Sequence, residues 1–292
     1  MYAVKVRGKH KVTMVLLVIG LICLFYLGKW AIVWLLNAYQ LFGGGPCSRH
    51  LRWARPRDPL VGILGTRGSG VQWLRFLIEQ MTGIHTGSTH LEFPSYFKGE
   101  GVTEKGKVVA VLSYNMGEIK GMHAAIVLYR NMKDTIRAQY AYYKGQGAFL
   151  EAPLQAYYGN EWSSFALQKA NEWAEHYQIY LDSGVPLLIM GYEELEDQTT
   201  LRKQLLRVSH FLHVPIKGSI FECLLENSHD FHLKPRSLHT GFQPFSLLPA
   251  DLQERLARIE RRIERQISET RDNFLPKAPG EQQQMMKIGQ EL

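Results

Sequence analysis

The stretch VGILGTRGSGVQWLRFLIEQ, residues 61–80, carries Gly65, Gly68 and Gly70 between a short apolar run and an amphipathic segment. Glycine reaches backbone angles closed to other residues. A turn this bare, set before a helix, can aim successive N–H groups inward at the positive end of the helix dipole and hold a phosphate or sulfate. The residues that would line it are Arg67, Gly68, Ser69, Gly70, Val71, Gln72 and Trp73. No Gly-Lys-Ser/Thr occurs, so this is not a Walker A loop, and it is neither a G-x-G-x-x-G fingerprint nor a G-x-S-x-G elbow. Taken alone, it serves equally well as a tight strand–helix connection with no ligand.

A second anion contact lies in IVLYRNMKDTIRAQY, residues 126–140. Arg130 ends a predicted strand, where open α/β sheets bind ligands. Asn131 and Asp134 suit the cap and first turn of the helix that follows. By itself Arg130 reads as a surface ion-pair residue; beside a glycine loop at a neighbouring strand end it becomes an anion contact. His210 and His213 share a helix turn without an evident third ligand and read as structural, and three cysteines are too few for a zinc site, so no metal is expected. Cys47 and Cys223 either pair, if they face an oxidising lumen, or remain as two buried thiols.

The elements that must position these residues follow from the apolar pattern. Four runs read as parallel strands buried on both faces, because none alternates: LVGILG (60–65), VVAVLSY (108–114), AAIVLYR (124–130) and PLLIMGY (186–192). Helical spacing marks 70–82, 162–181, 199–212 and 249–271, the last through Leu252, Leu256, Ile259, Ile263 and Ile267. Trp162 and Trp173 belong to the core, and Glu193 and Glu194 end a strand and start a loop. Strands alternating with helices imply an α/β domain with a mainly parallel sheet.

Charge excludes one class of function. Nine of the 34 Lys/Arg but one of the 27 Asp/Glu fall in residues 1–60, which leaves the body close to neutral. A nucleic-acid binder carries its excess charge on the folded domain, so no nucleic-acid partner is expected. The run VTMVLLVIGLICLFYLG (12–28) continues past Lys29 to Leu36. It is long enough to span a bilayer and too long for a cleaved signal peptide. Lys5, Arg7, Lys9 and Lys11 precede it and favour a cytoplasmic N-terminus. The expected order is a cytoplasmic tail (1–11), a transmembrane signal anchor (12–36), a Gly/Pro-punctuated stem (37–59), the α/β domain (60–275) and a polar, disordered tail (276–292).

The glycine loop and the Arg130 segment together resemble the sulfotransferase superfamily, whose sulfate donor is 3′-phosphoadenylyl sulfate (PAPS). The likeness narrows to the sulfotransferase-like domain of the WSCD family. RGSGVQWLR (67–75) resembles that family's PGSGNTWLR, and LIEQMTGIHTGS, VLYRNMKDTIRAQY, GVPLLIMGYEELED, LLRVSHFLHVP and LLENSHDFH fit its later blocks in order. The resemblance covers about residues 60–275 and implies a P-loop-like α/β fold on a single-pass, type II Golgi membrane protein, here a short form without the Cys-rich WSC modules. Carried over by position, residues 68–73 hold the 5′ side of the donor, with Arg67 beside them. Arg130 holds the 3′-phosphate, and Lys234 and Arg236 lie over the nucleotide.

The resemblance implies transfer of sulfate to a hydroxyl of a luminal glycan or protein, and a base must take that hydroxyl's proton. Glu92 is the candidate, placed after the first helix as in several Golgi sulfotransferases, with His90 and His85 as rivals. Three positions depart from the superfamily pattern: Gly68 stands where cytosolic members carry Lys, Ala138 where they carry Ser, and Tyr114 where they carry the His of a Lys-Thr-His segment. Arg67 could substitute for the missing lysine. The departures keep open a second reading, an inactive sulfotransferase-like protein acting as a membrane-anchored binding or scaffold protein. A third reading, a P-loop-like kinase or NTPase, is disfavoured because this chain has no loop lysine followed by a metal-binding Ser/Thr. No N-x-Ser/Thr sequon is present.

Overall fold

The computed structural model describes residues 47, 50–91, 97–114, 122–145, 152–228 and 241–273. The expected anchor at 12–36, the tail at 276–292, Glu92, Lys234 and Arg236 lie outside them. No helix among the described residues is long and apolar enough to cross a membrane.

Five strands form one parallel sheet in the order β2-β3-β1-β4-β5: β1 (Val61–Leu64), β2 (Gly87–Ser88), β3 (Ala110–Ser113), β4 (Ala125–Tyr129) and β5 (Leu187–Gly191). Register is continuous through the centre, with Ile63 beside Leu112 on one side and Ile126 on the other. The four expected strands are all here, and both faces are covered, as their unbroken apolar runs require. The helices are α1 (Val71–Thr82), α2 (Met132–Lys144), α3 (Asn160–Leu181), α4 (Tyr192–Glu196), α5 (Gln198–Leu212), α6 (Gly218–Asn227) and α7 (Ala250–Asn273). On one face the sheet packs against α1, α5 and α6 through residues such as Leu74, Leu77, Leu205 and Leu224. On the other it packs against α2, α3 and α7, where Trp162, Trp173, Tyr140 and Tyr177 fill the core. Glu193 and Glu194 lie in α4, a short helix, rather than in a loop, and the Glu194 carboxylate accepts the Gly191 N–H at 2.9 Å.

The sequence reading places residues 37–59 in a stem. In the structure 50–59 are joined to the domain: the Arg52 N–H donates to the Gly83 carbonyl, the His85 N–H to the Arg52 carbonyl and the Ala54 N–H to the Lys107 carbonyl. A disulfide joins Cys47 to Cys223 in α6 across 176 residues of chain, with Cα atoms 5.5 Å apart. Of the two alternatives left open for these thiols, the paired one is realised.

Both margins of the sheet are covered. β2 is two residues long, and the segment after it lies so close that a methyl group on Gly99 would stand 2.0 Å from the Thr86 carbonyl oxygen. On the far margin the Arg207 guanidinium donates to the outward Ile189 carbonyl of β5 at 3.3 Å. Burial pulls the Arg207 pKa down.

Candidate functional site

The connection from β1 to α1 is held open by its own carbonyls. Each of four successive carbonyl oxygens accepts from a separate donor. The Tyr180 hydroxyl reaches Gly65 at 3.2 Å and the Ser69 hydroxyl reaches Thr66 at 2.7 Å. Gln139 Nε2 reaches Arg67 at 2.7 Å, and Arg130 Nη1 reaches Gly68 at 2.7 Å. In a trans peptide the N–H points opposite to the C=O. Fixing the carbonyls of residues 65–67 therefore turns the N–H groups of Thr66, Arg67 and Gly68 to the other side. The first turn of α1 adds N–H groups with no acceptor inside the helix. Gly68 and Gly70 make this possible with φ of +81° and +91°.

The side chains of the loop divide by role. Ser69 is buried, and its hydroxyl faces inward to Thr66, so it offers no hydroxyl to a ligand. Val71 is packed beneath the turn: a methyl group on Gly65 would meet it at 2.6 Å. The Trp73 indole N–H donates to the Ser228 carbonyl at 2.9 Å, which anchors the residue preceding 229–240 beside the first turn of α1. Gln72 accepts from Arg75 Nη1 at 3.0 Å. Arg75 is fully buried, and its Nη1 also pairs with Glu100 at 2.8 Å while its guanidinium lies 4.0 Å from the Phe97 ring centre. This buried ion pair, which sequence reasoning missed, fixes α1 against the segment following β2.

Arg130, at the end of β4, is brought to the glycine turn from the other side. Its guanidinium stacks 4.1 Å above the Tyr192 ring, and its Nε is buried with no partner among the described residues. Burial pushes the Tyr192 phenol up, against the opposing pull of Arg130, so the ring is a neutral platform. The α2 end offers less to an anion: Asn131 Oδ1 caps the Lys133 and Asp134 N–H groups, and the Asn131 N–H donates to Glu193 at 3.2 Å. The open anion position therefore belongs to the α1 side of the turn. Tyr192 also was not singled out from sequence, although its place directly after the apolar run of β5 marks a strand end.

Of the candidate bases, His85 sits at the entry to β2, buried against Trp53 and 3.9 Å from Glu79, away from the strand ends. His90 lies past the end of β2 and stacks on Tyr114 at 5.5 Å between ring centres. The Arg67 guanidinium lies 4.6 Å from the same Tyr114 ring. The C-terminal ends of β1, β2 and β3 thus bring Arg67, Tyr114 and His90 together. His210 and His213 are exposed at the end of α5, remote in the fold from this edge, and no group of three metal-ligating side chains occurs among the described residues.

The absence of a lysine at position 68 has a steric cause. A methyl group on Gly68 would stand 2.9 Å from the Thr135 carbonyl oxygen and 3.3 Å from the Ala138 methyl. The turn leans on α2 at this point, against Ala138. Gly68→Ala is expected to cost about 2 kcal/mol, from the left-handed backbone angle and the carbonyl contact. Thermal unfolding without ligand should drop by roughly 4–8 °C; an unchanged midpoint would mean that the turn relaxes away from α2. Gly68→Lys meets the same wall.

No protein-family model matches the chain. A WSCD family member of Aedes aegypti is 25% identical over 221 residues, 72% of this chain and 68% of that protein. A Drosophila melanogaster member is 25% identical over 206 residues, 67% and 63% respectively. A Drosophila pseudoobscura pseudoobscura member is 25% identical over 196 residues, 64% and 60%. The chain thus spans about two thirds of the length of these relatives. The crystal structure of mouse sulfotransferase SULT7A1 complexed with PAP matches with a TM-score of 0.52 and 17% identity, over 75% of this chain and 88% of that one. The chain resembles the WSCD family, and its parallel α/β fold is that of a sulfotransferase.

Proposed function

We propose that this WSCD relative with a sulfotransferase fold is a membrane-anchored sulfotransferase, moving sulfate from PAPS to a hydroxyl of a luminal glycan or protein. The observation that carries the reading is the set of four pinned carbonyls at 65–68 together with the buried Nε of Arg130, which has no hydrogen-bond partner among the described residues. Backbone donors and a half-desolvated arginine at strand ends are the equipment of a phosphosulfate site. PAPS supplies the activated sulfuryl group and departs as PAP. The N–H groups of Gly68, Gly70, Val71 and Gln72 hold the 5′ side, Trp73 supports the turn from below, and Arg130 takes the 3′-phosphate. Lys234 and Arg236 follow Ser228, which Trp73 ties to this edge, and are proposed to lie over the nucleotide. Arg67, held over Tyr114, supplies the cation that Gly68 cannot. Glu92 or His90 takes the acceptor proton.

The luminal, type II, Golgi placement is part of the same proposal. It is supported by the basic residues before the apolar run and by a disulfide that suits an oxidising compartment.

Thermal unfolding of the detergent-solubilised chain with PAP, against ATP as control, tests the donor site. At 100 times its dissociation constant a ligand stabilises by about 2.7 kcal/mol, which for a domain of this size is a rise of roughly 5–10 °C. No PAP-specific rise would sink the reading. The steric closure at Gly68 and the inward Ser69 hydroxyl favour the second reading, an inactive binding or scaffold protein. A PAP-specific rise with no sulfate transfer to any offered acceptor would select it, and transfer abolished by Glu92→Gln or His90→Gln would exclude it.

A further inference from the structure

The last helix carries a feature that the donor site does not use. α7 turns Leu256, Ile263 and Ile267 into the core, and its Glu260 is buried on the Asn131 side chain at 3.0 Å. Glu264 is drawn aside to the Tyr129 hydroxyl at 3.1 Å. On the opposite face Arg255, Arg258, Arg261, Arg262 and Arg265 are all exposed, with Asp251, Glu254 and Glu269 exposed at its ends. Arg258, Arg261, Arg262 and Arg265 line one shallow groove together with Gln266. A carboxylate approaches one of them, Glu254 at 3.7 Å from Arg258. Among the described residues Arg255, Arg261, Arg262 and Arg265 have no ion-pair partner. Five guanidinium groups over eleven positions of helix, Arg255 to Arg265, span about 15 Å along its axis.

We propose that this arginine face binds a polyanionic glycan chain, laid along α7, whether or not sulfate transfer takes place at the donor site. Guanidinium groups bind sulfate and carboxylate oxygens in pairs through two N–H donors each. Like charges at i, i+3, i+4 and i+7, one of them paired with Glu254, repel one another, so an anionic ligand also relieves a cost carried by the free protein. The face suits a linear polyanion better than the alternatives. A helix that lies on a lipid surface needs an apolar side to sink into the headgroup boundary, and the apolar side of α7 is spent on the core. A protein partner needs an aromatic or aliphatic anchor position at the centre of its interface, and this groove offers guanidinium groups and one glutamine. The same helix reaches Asn131, next to Arg130, so a chain bound along it runs towards the strand ends.

The test is binding of a size-defined heparin oligosaccharide to the full chain in neutral detergent, measured across a salt series. The triple variant Arg261→Ser, Arg262→Ser, Arg265→Ser should lose tenfold or more in affinity, and its salt slope should fall by about one per arginine removed. Arg202→Ser with Lys203→Ser, exposed cations on α5, should leave both unchanged. The triple variant should keep its PAP response, which separates this surface from the donor site. Equal affinity in the triple variant and the parent, or binding to anionic vesicles with none to the oligosaccharide, overturns the proposal. Because every substituted side chain is exposed, an unchanged ligand-free unfolding midpoint accompanies a valid result.

Discussion

Arg130→Ala should lose the PAP-dependent rise in unfolding temperature while its ligand-free midpoint stays within a few degrees of the parent. The guanidinium is half-buried, stacked on Tyr192, and satisfied by one carbonyl, that of Gly68. A charge so placed has already lost much of its hydration and has no counter-ion in contact among the described residues, so an anion entering beside it finds a donor that costs little further to desolvate. Removing one partner of such a charge pair costs about 3–5 kcal/mol, or some two to four orders of magnitude in affinity. Arg130→Lys keeps the charge but loses the forked donor and the ring stacking, and should fall between the two. Isothermal titration with PAP checks the series. An Arg130→Ala protein that binds PAP as the parent does would remove the 3′-phosphate role from this residue.

Breaking the Cys47–Cys223 bridge should have the largest effect on stability. In the chain-entropy account, a bridge across 176 residues restricts the unfolded chain by about 5 kcal/mol; native strain and residual structure reduce such values, so a loss of about 2–5 kcal/mol is expected. That corresponds to roughly 5–15 °C in the unfolding midpoint of Cys223→Ser. The bridge also fixes what it touches: the Cys47 N–H donates to Gln80 in α1 at 3.2 Å, and Cys223 lies on the helix whose end, at Ser228, holds Trp73. Thiol labelling of the denatured, unreduced chain should find one of the three cysteines reactive. Three reactive thiols, or equal midpoints with and without reductant, would refute the bridge.

What the sequence disclosed and what it hid have physical reasons. The four longer strands were legible because each is covered on both faces and so reads as an unbroken apolar run. The long helices were legible because their apolar stripes repeat with the helical period. β2 was missed because two residues carry no periodicity, and α6 because Phe221 and Leu224 are too short a stripe to stand out. The glycine turn and Arg130 were found by residue type and place in the strand–helix order. Arg75 and Glu100 were passed over because a charged residue in a sequence reads as solvated, and their mutual burial depends on contact between α1 and a loop 25 positions later. The pairing of Cys47 with Cys223 had no local signal at all. The carbonyl donors Tyr180, Gln139 and Arg130 are far apart in the chain, so the pinned turn could be recognised only as a fold.

The covered margins of the sheet bear on how copies of this protein meet. A free strand edge is a template on which another chain can add a strand, the route to domain exchange and fibrous aggregation. Here one margin is a two-residue strand with a loop pressed against it, and the other has an arginine seated on the outward carbonyl of its central residue. Each margin thus carries a group that an added strand must displace. Strand addition therefore meets an obstacle at each of these two margins. Replacing Arg207 with an uncharged side chain would reopen the β5 margin, so slow, concentration-dependent aggregation without loss of the ligand-free fold is the behaviour to look for in that variant.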